Sequence, residues 1–154
     1  MSKELIEAIE FLERYKKGER DFSNVYIESS DELAGTDLSG INLSNAVVAE
    51  MLLDEINLSE ANLQLTNFGQ SSLYGANLSR ANLSEANLRL AVLDSANLSD
   101  SCLIGANLKG ASMGNANFTR CNLSRAETSE NPWFEGAVFC DTIMPDGSNR
   151  TGKT

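Results

Sequence analysis

Residues 76–100 read ANLSR ANLSE ANLRL AVLDS ANLSD, five successive pentapeptides with a leucine at the centre of each. Followed outward from there, an apolar residue recurs at every fifth position from Leu38 to Leu123, eighteen times without a miss. At this chain's apolar content of 42%, such a run in a fixed register has a chance probability of about 10⁻⁷. A period of five fits neither the 3.6-residue helix nor the two-residue alternation of a strand. The flanking positions repeat too. Two residues before the centre stands, in most units, a small side chain, alanine at 46, 61, 76, 81, 86, 91, 96, 106, 111 and 116, and asparagine immediately precedes the centre in eleven of the eighteen units.

The motif A-N-L-S-x over Thr36–Arg125 resembles the pentapeptide-repeat family, whose consensus is A-(D/N)-L-x-x. The resemblance implies an all-β solenoid, a right-handed quadrilateral parallel β-helix with four pentapeptides per coil. Its interior would be filled by central residues such as Leu58, Phe68, Leu78, Leu88, Leu98, Leu108 and Phe118. Packing favours this arrangement, because a narrow solenoid needs a small residue where the backbone nears the axis and a large one to fill the middle. Eighteen units make four and a half coils, roughly 22 Å of stack at the usual inter-strand spacing.

With four units per turn, residues twenty apart stack. One face then carries a column Asp37, Asn57, Asn77, Asn97, Asn117 and, beside it, Gly40, Glu60, Arg80, Asp100, Arg120, where opposite charges alternate. Another face breaks the asparagine rule with Leu52 and Val92, and Tyr74 and Leu90 lie on or beside it; these four form a candidate partner surface. Glu50, Asp54, Glu55 and Glu60 form a candidate acidic patch.

A solenoid needs its open ends covered. Residues 1–19 are expected to form an amphipathic helical cap placing Leu5, Ile6, Ile9 and Leu12 on one side, helical over 3–17, with Gly18 as its stop. Phe22 and Ile27 are one residue out of register with Leu33 and Leu38, which predicts an irregular first coil over 20–35 with one inserted residue near Ser29–Glu32, before the regular coils of 36–125. After Leu123 the pattern fails at Thr128 and resumes, shifted by one, at Phe134, Phe139 and Met144, so 126–144 are expected to form the last coil and cap, sealed by Trp133 and Phe134. The tail 145–154, PDGSNRTGKT, is expected to be loose. The N-terminal segment with RYKKGERDFSN and the tail AVFCDTIMPDG resemble features of bacterial, especially cyanobacterial, members of the family.

The 154 residues contain no histidine, which removes every Ser-His or Cys-His nucleophile pair and every imidazole metal site. Cys102, Cys121 and Cys140 are odd in number and show no CxxC spacing. Neither a catalytic site, a metal nor a cofactor is expected. The first twenty residues are charged throughout and no apolar run is long enough for a membrane span, so the expected setting is the cytoplasm.

The net charge of −10 opposes direct nucleic-acid binding. The resemblance does imply an alternative, since acidic members of the family imitate DNA and bind type II topoisomerases such as gyrase. Such a mimic needs negative charge along the whole rod. Here residues 36–75 carry five acids and no base, whereas 76–125 carry five bases and three acids. The reading that fits best is a non-catalytic structural or protein-interaction module, monomeric or weakly dimeric, whose partner is another protein.

Overall fold

A computed structural model describes residues 3–129 and 134–153. From Asp37↔Asn57 to Asn107↔Glu127 the residue preceding each centre forms a parallel bridge with the residue twenty positions on. Four such columns run the length of the stack. We call them face 1 (from Asp37), face 2 (from Asn42), face 3 (from Val47) and face 4 (from Leu52). Each rung is a single bridge rather than an extended strand, because a turn follows every centre.

The turn explains the spacing of five. The N–H three residues after a central residue donates back to that residue's carbonyl, as Ala46 does to Leu43 at 2.9 Å and Ala81 to Leu78 at 3.2 Å; after Val48 the donor, Met51 N, bonds instead to Ser71 Oγ at 3.2 Å. The residue just before this donor has positive φ, between +54° and +73° in every such turn from Gly40 to Arg125. Positive φ at the third turn residue alone is the geometry of a type II turn. The small residue two before the next centre then points inward beside it, and both are buried: Ala76, Leu78, Ala81 and Leu83 are at most 1% exposed. The seven central residues expected in the interior, Leu58 through Phe118, are all buried. Where that small residue is polar it is bonded internally: Thr66 Oγ1 donates to the Leu43 carbonyl at 2.7 Å and Ser71 Oγ to that of Val48 at 2.8 Å.

Asparagine precedes the centre for two reasons. Its Oδ1 accepts from its own chain two residues on, as in Ser59 N to Asn57 at 3.1 Å, which satisfies an outward-facing N–H. Its Nδ2 donates to the coil before, giving on face 1 a chain from Asn117 through Asn97, Asn77 and Asn57 to Asp37.

The pairing offset becomes twenty-one at both ends, in Asp21↔Asn42 and Tyr26↔Val47 and again in Asn117↔Val138 and Asn122↔Ile143. Near the N-terminus a 3-10 turn, Asp31–Leu33, takes up the extra residue.

The N-terminal segment differs from the expected helix over 3–17. Glu4–Ile6 form a strand, β1, paired in parallel with Val25–Ile27, β2, and the helix α1 spans only Ala8–Lys16. Pairing Ile6 with Ile27 imposes a twofold alternation, so Ile6 turns inward and Leu5 outward. The helix then presents Ala8 and Phe11, with Phe11 edge-on to Phe22 at 4.5 Å. Leu5 and Ile9 are therefore 63% and 57% exposed and do not cover the core; Leu12 is partly buried against it.

The tail is not loose. Asn149–Lys153 form β4, antiparallel to β3 at Val138–Ile143, across a turn closed by Gly147 N to Met144 O at 2.9 Å. Its residues are polar and mostly exposed, with Arg150 half-buried over the Phe139 ring at 4.2 Å, so main-chain pairing rather than a buried apolar face orders them. Phe134 packs edge-on to Phe118 and Phe139 and closes the interior here. Trp133, expected to share that role, lies outside the described residues.

Candidate interaction surface

Face 4 departs chemically from the other three. Its column reads Leu52, Ser72, Val92, Ser112, with no amide to build a ladder. Aspartates one position after the centre replace that bonding: Ser72 Oγ donates to Asp54, Ser112 Oγ to Asp94, and Gly114 N to Asp94 Oδ1 at 3.0 Å. The apolar members are left facing solvent, and Leu52, Tyr74, Leu90 and Val92 are all exposed. The structure sets them on one face and its leading corner, yet not as a continuous sheet of carbon. Ser72 lies between Leu52 and Val92, and Tyr74 stands between Asp54 and Asp94 in their column. Within the column of Leu52 and Val92 the apolar side chains are two coils apart, about 10 Å at the usual strand spacing, with Tyr74 on the coil between but in the neighbouring column.

The acidic candidates do not converge. Glu50, Glu55 and Glu60 occupy three successive corners of one coil, as their φ of about +60° shows, so they point in different directions around it. Asp54 is bonded to Ser72, and Glu60 is paired with Arg80 at 2.6 Å. This Glu60–Arg80 pair opens the charged column at the corner after face 1, where Arg120 also grips Asp100 with two bonds of 2.6 and 2.7 Å. These pairs are exposed, so solvent and salt screen them and they contribute little to stability.

Among the described residues, four further large apolar side chains are exposed: Leu5 and Ile9, which the helical spacing had placed on the covered side of the cap, and Tyr26 and Leu65, which the sequence pattern did not single out. Leu65 sits at the corner after face 2. Leu5 and Tyr26 lie in register with each other and continue the face 3 column above Val47. The twenty-one-residue offset is the signal that places them there.

Reactive chemistry is sparse. Cys121 is buried, which pushes its thiol up to about 12, and its Sγ lies 3.4 Å from Ser101 Oγ. Among the described residues no three His, Cys, Asp or Glu side chains are grouped to hold a metal, and no helix is long and apolar enough to cross a membrane. A groove of about 320 Å³ runs beside α1, lined by Leu12, Tyr15, Arg20 and Asp37 among others, with Arg20 stacked over the Tyr15 ring at 3.9 Å.

Two aspartates stand where the ladders otherwise carry asparagine. The N–H and hydroxyl of Ser39 hold the Asp37 carboxyl below its ordinary range, and those of Ser23 do the same for Asp21. A depressed folded-state pKa gives stability that is present above the unfolded value and lost as pH falls through the folded one. Asp37→Asn with Asp21→Asn keeps the Oδ1 acceptor, so the double variant is expected to lose less of its melting temperature than the parent between about pH 5 and about pH 2.5. Equal losses in both proteins would overturn that assignment.

The profile of the family described as Pentapeptide repeats matches in eight copies, over residues 52–89, 71–110 and 101–127. No curated protein sequence matches the chain. Among solved structures, a pentapeptide repeat protein from the thylakoid lumen of Arabidopsis thaliana is 33% identical over 75% of this chain and 72% of that one, with a TM-score of 0.59. HetL, a pentapeptide repeat protein involved in heterocyst differentiation regulation in the cyanobacterium Nostoc, covers 94% of this chain and 100% of its own at 22% identity and a TM-score of 0.54. QnrB1, a plasmid-mediated fluoroquinolone resistance protein, covers 77% of this chain and 68% of its own at 19% identity and a TM-score of 0.54. The last two share the fold alone. The unbroken period, the four bridged columns and the Arabidopsis relative together place this chain in the pentapeptide-repeat family.

Proposed function

We propose that the chain is a non-catalytic protein-interaction solenoid, a right-handed quadrilateral β-helix with α1 and the 134–153 segment covering its ends, and that face 4 is the surface it offers to a protein partner. The observation carrying this reading is the exchange on face 4 of ladder asparagine for exposed Leu52 and Val92, flanked by Tyr74 and Leu90. An exposed apolar residue costs solubility and gains nothing for the coil, whereas buried aromatic and aliphatic anchors dominate association energies. The acidic-mimic alternative has less behind it, because the carboxylates from Glu50 to Glu60 point in several directions and one is neutralised by Arg80.

The test is a pull-down with wild type and with Tyr74→Ala combined with Val92→Asp, using Leu65→Asp as a control at a distant corner. A partner retained by wild type and by the control, and weakened about tenfold or more by the double variant, is the expected result. Identical partner lists from wild type and the double variant would overturn the assignment of face 4.

A further inference from the structure

The N-terminal end of face 3 carries an edge that the solenoid itself leaves open. β1 pairs only with β2 among the described residues. Glu28 N donates to the Ile6 carbonyl at 3.0 Å, so the polar groups of Ile6 face β2. By the alternation of a strand, the N–H and C=O of Leu5 face the other way. An edge of this kind is a template for another strand. Its outward side is also apolar: Leu5 stands in register with Tyr26, which bridges to Val47, giving three coils of exposed or half-buried carbon that end at the open edge.

The strand is complementary to itself. It reads Lys3-Glu4-Leu5-Ile6-Glu7. We propose that β1 is the docking edge for a second copy of this chain, the two strands pairing antiparallel about Leu5 so that face 3 runs through both molecules. In that register the two Leu5 residues exchange both main-chain hydrogen bonds, and their side chains meet beside the Tyr26 rings. Lys3 of each copy stands opposite Glu7 of the other, on the same outward side as Leu5. Glu7 is suited to the contact, with extended backbone at φ −72° and ψ 147° and a side chain that makes no capping bond to α1. Lys3 Nζ donates to the Asn45 carbonyl, two coils down the stack, so dimerisation turns its ammonium from that carbonyl toward the open edge. The arrangement is a closed twofold contact, so association stops at the dimer.

Sedimentation velocity of the full chain, from about 1 µM to about 1 mM, reads the association that a small interface supports. Wild type is expected to shift from monomer to dimer across that span. Leu5→Pro removes the outward N–H, which an edge strand tolerates, together with the exposed leucine side chain, and is expected to stay monomeric with an unchanged circular dichroism spectrum. Lys3→Glu replaces two attractive pairs by two repulsive ones and is expected to weaken the dimer about tenfold. Adding Glu7→Lys restores opposite charges and is expected to restore wild-type association. A wild type that stays monomeric, a folded Leu5→Pro variant that dimerises as wild type does, or a charge swap that fails to rescue would each overturn the proposal. Should Leu5→Pro unfold, the charge-swap pair decides alone.

Discussion

Replacing Phe68 with alanine is expected to lower the free energy of unfolding by about 3–5 kcal/mol, whereas Phe68→Leu is expected to cost under about 1.5 kcal/mol. Phe68 is fully buried at the third level of the stack, and the central residues twenty before and after it on face 3 are Val48 and Leu88. Leucine is therefore a size the column already accepts. Alanine leaves a void that the coil cannot close. Val48 N donates to the Asn67 carbonyl and Phe68 N to that of Asn87, at 2.9 and 2.8 Å, so the backbone around the site is pinned from both sides. A protein of this size has a total stability on the order of 10 kcal/mol, so the loss is large. Each coil is buried only by its neighbours, so the defect is also expected to weaken coupling across it. Urea unfolding followed by circular dichroism reads both effects, through a lower midpoint and a broadened transition. A Phe68→Ala variant within about 1 kcal/mol of wild type would show that the interior relaxes freely and that close packing does not stabilise this fold.

The interior and the four columns were legible in the sequence because each imposes a side-chain requirement. In most units a small residue stands beside a large one at the axis, with Ile41, Met51 and Ile56 as larger buried exceptions, and the outward N–H after each centre asks for an acceptor, which asparagine supplies in eleven of the eighteen units. The same logic read the charged column at the corner after face 1, since Glu60 and Arg80, like Asp100 and Arg120, need only be twenty residues apart to meet. What the sequence concealed was set by main chain rather than side chains. Residues 4–12 carry apolar groups at spacings that suit a helix, yet pairing with β2 claims Glu4–Ile6 first and rotates the helix that follows, so Leu5 and Ile9 are exposed. β4, at NRTGK, has no apolar alternation to announce it and is ordered by its bonds to β3. The candidate surface was partly legible: the break in the asparagine column marked face 4, while the alternation of apolar and polar residues within each of its columns, and the scattering of Glu50, Glu55 and Glu60 over three corners, emerge only when the chain is wound.

The corners themselves were the least legible element, and they hold the largest reserve of stability. Among the described residues, sixteen non-glycine residues adopt positive φ, including Leu65 at +59°, Gln70 at +61°, Glu85 at +58° and Ser95 at +61°. A side chain other than glycine or asparagine pays about 1–2 kcal/mol to stand in this region, because its Cβ crowds the following carbonyl. Glycine removes that strain but brings a freer unfolded chain, which offsets up to about 1 kcal/mol of the gain. The net gain per corner is therefore about 0.5–1 kcal/mol. Leu65, Gln70, Glu85 and Ser95 take part in none of the ion pairs, and none belongs to the proposed surface on face 4. Changing all four to glycine is expected to raise the unfolding free energy by about 2–4 kcal/mol if the sites act independently. The sign is specific to this position of the pentapeptide. Ala91→Gly, two residues before a centre, has no positive φ to relieve and loses buried carbon, so it is expected to destabilise by about 1 kcal/mol. Denaturant midpoints of the fourfold variant and of Ala91→Gly, measured against wild type, test the pair together. If glycine destabilises at the corners as it does at Ala91, the strain assigned to these turns is absent, and their positive φ is as easy for a leucine or a glutamate as for a glycine.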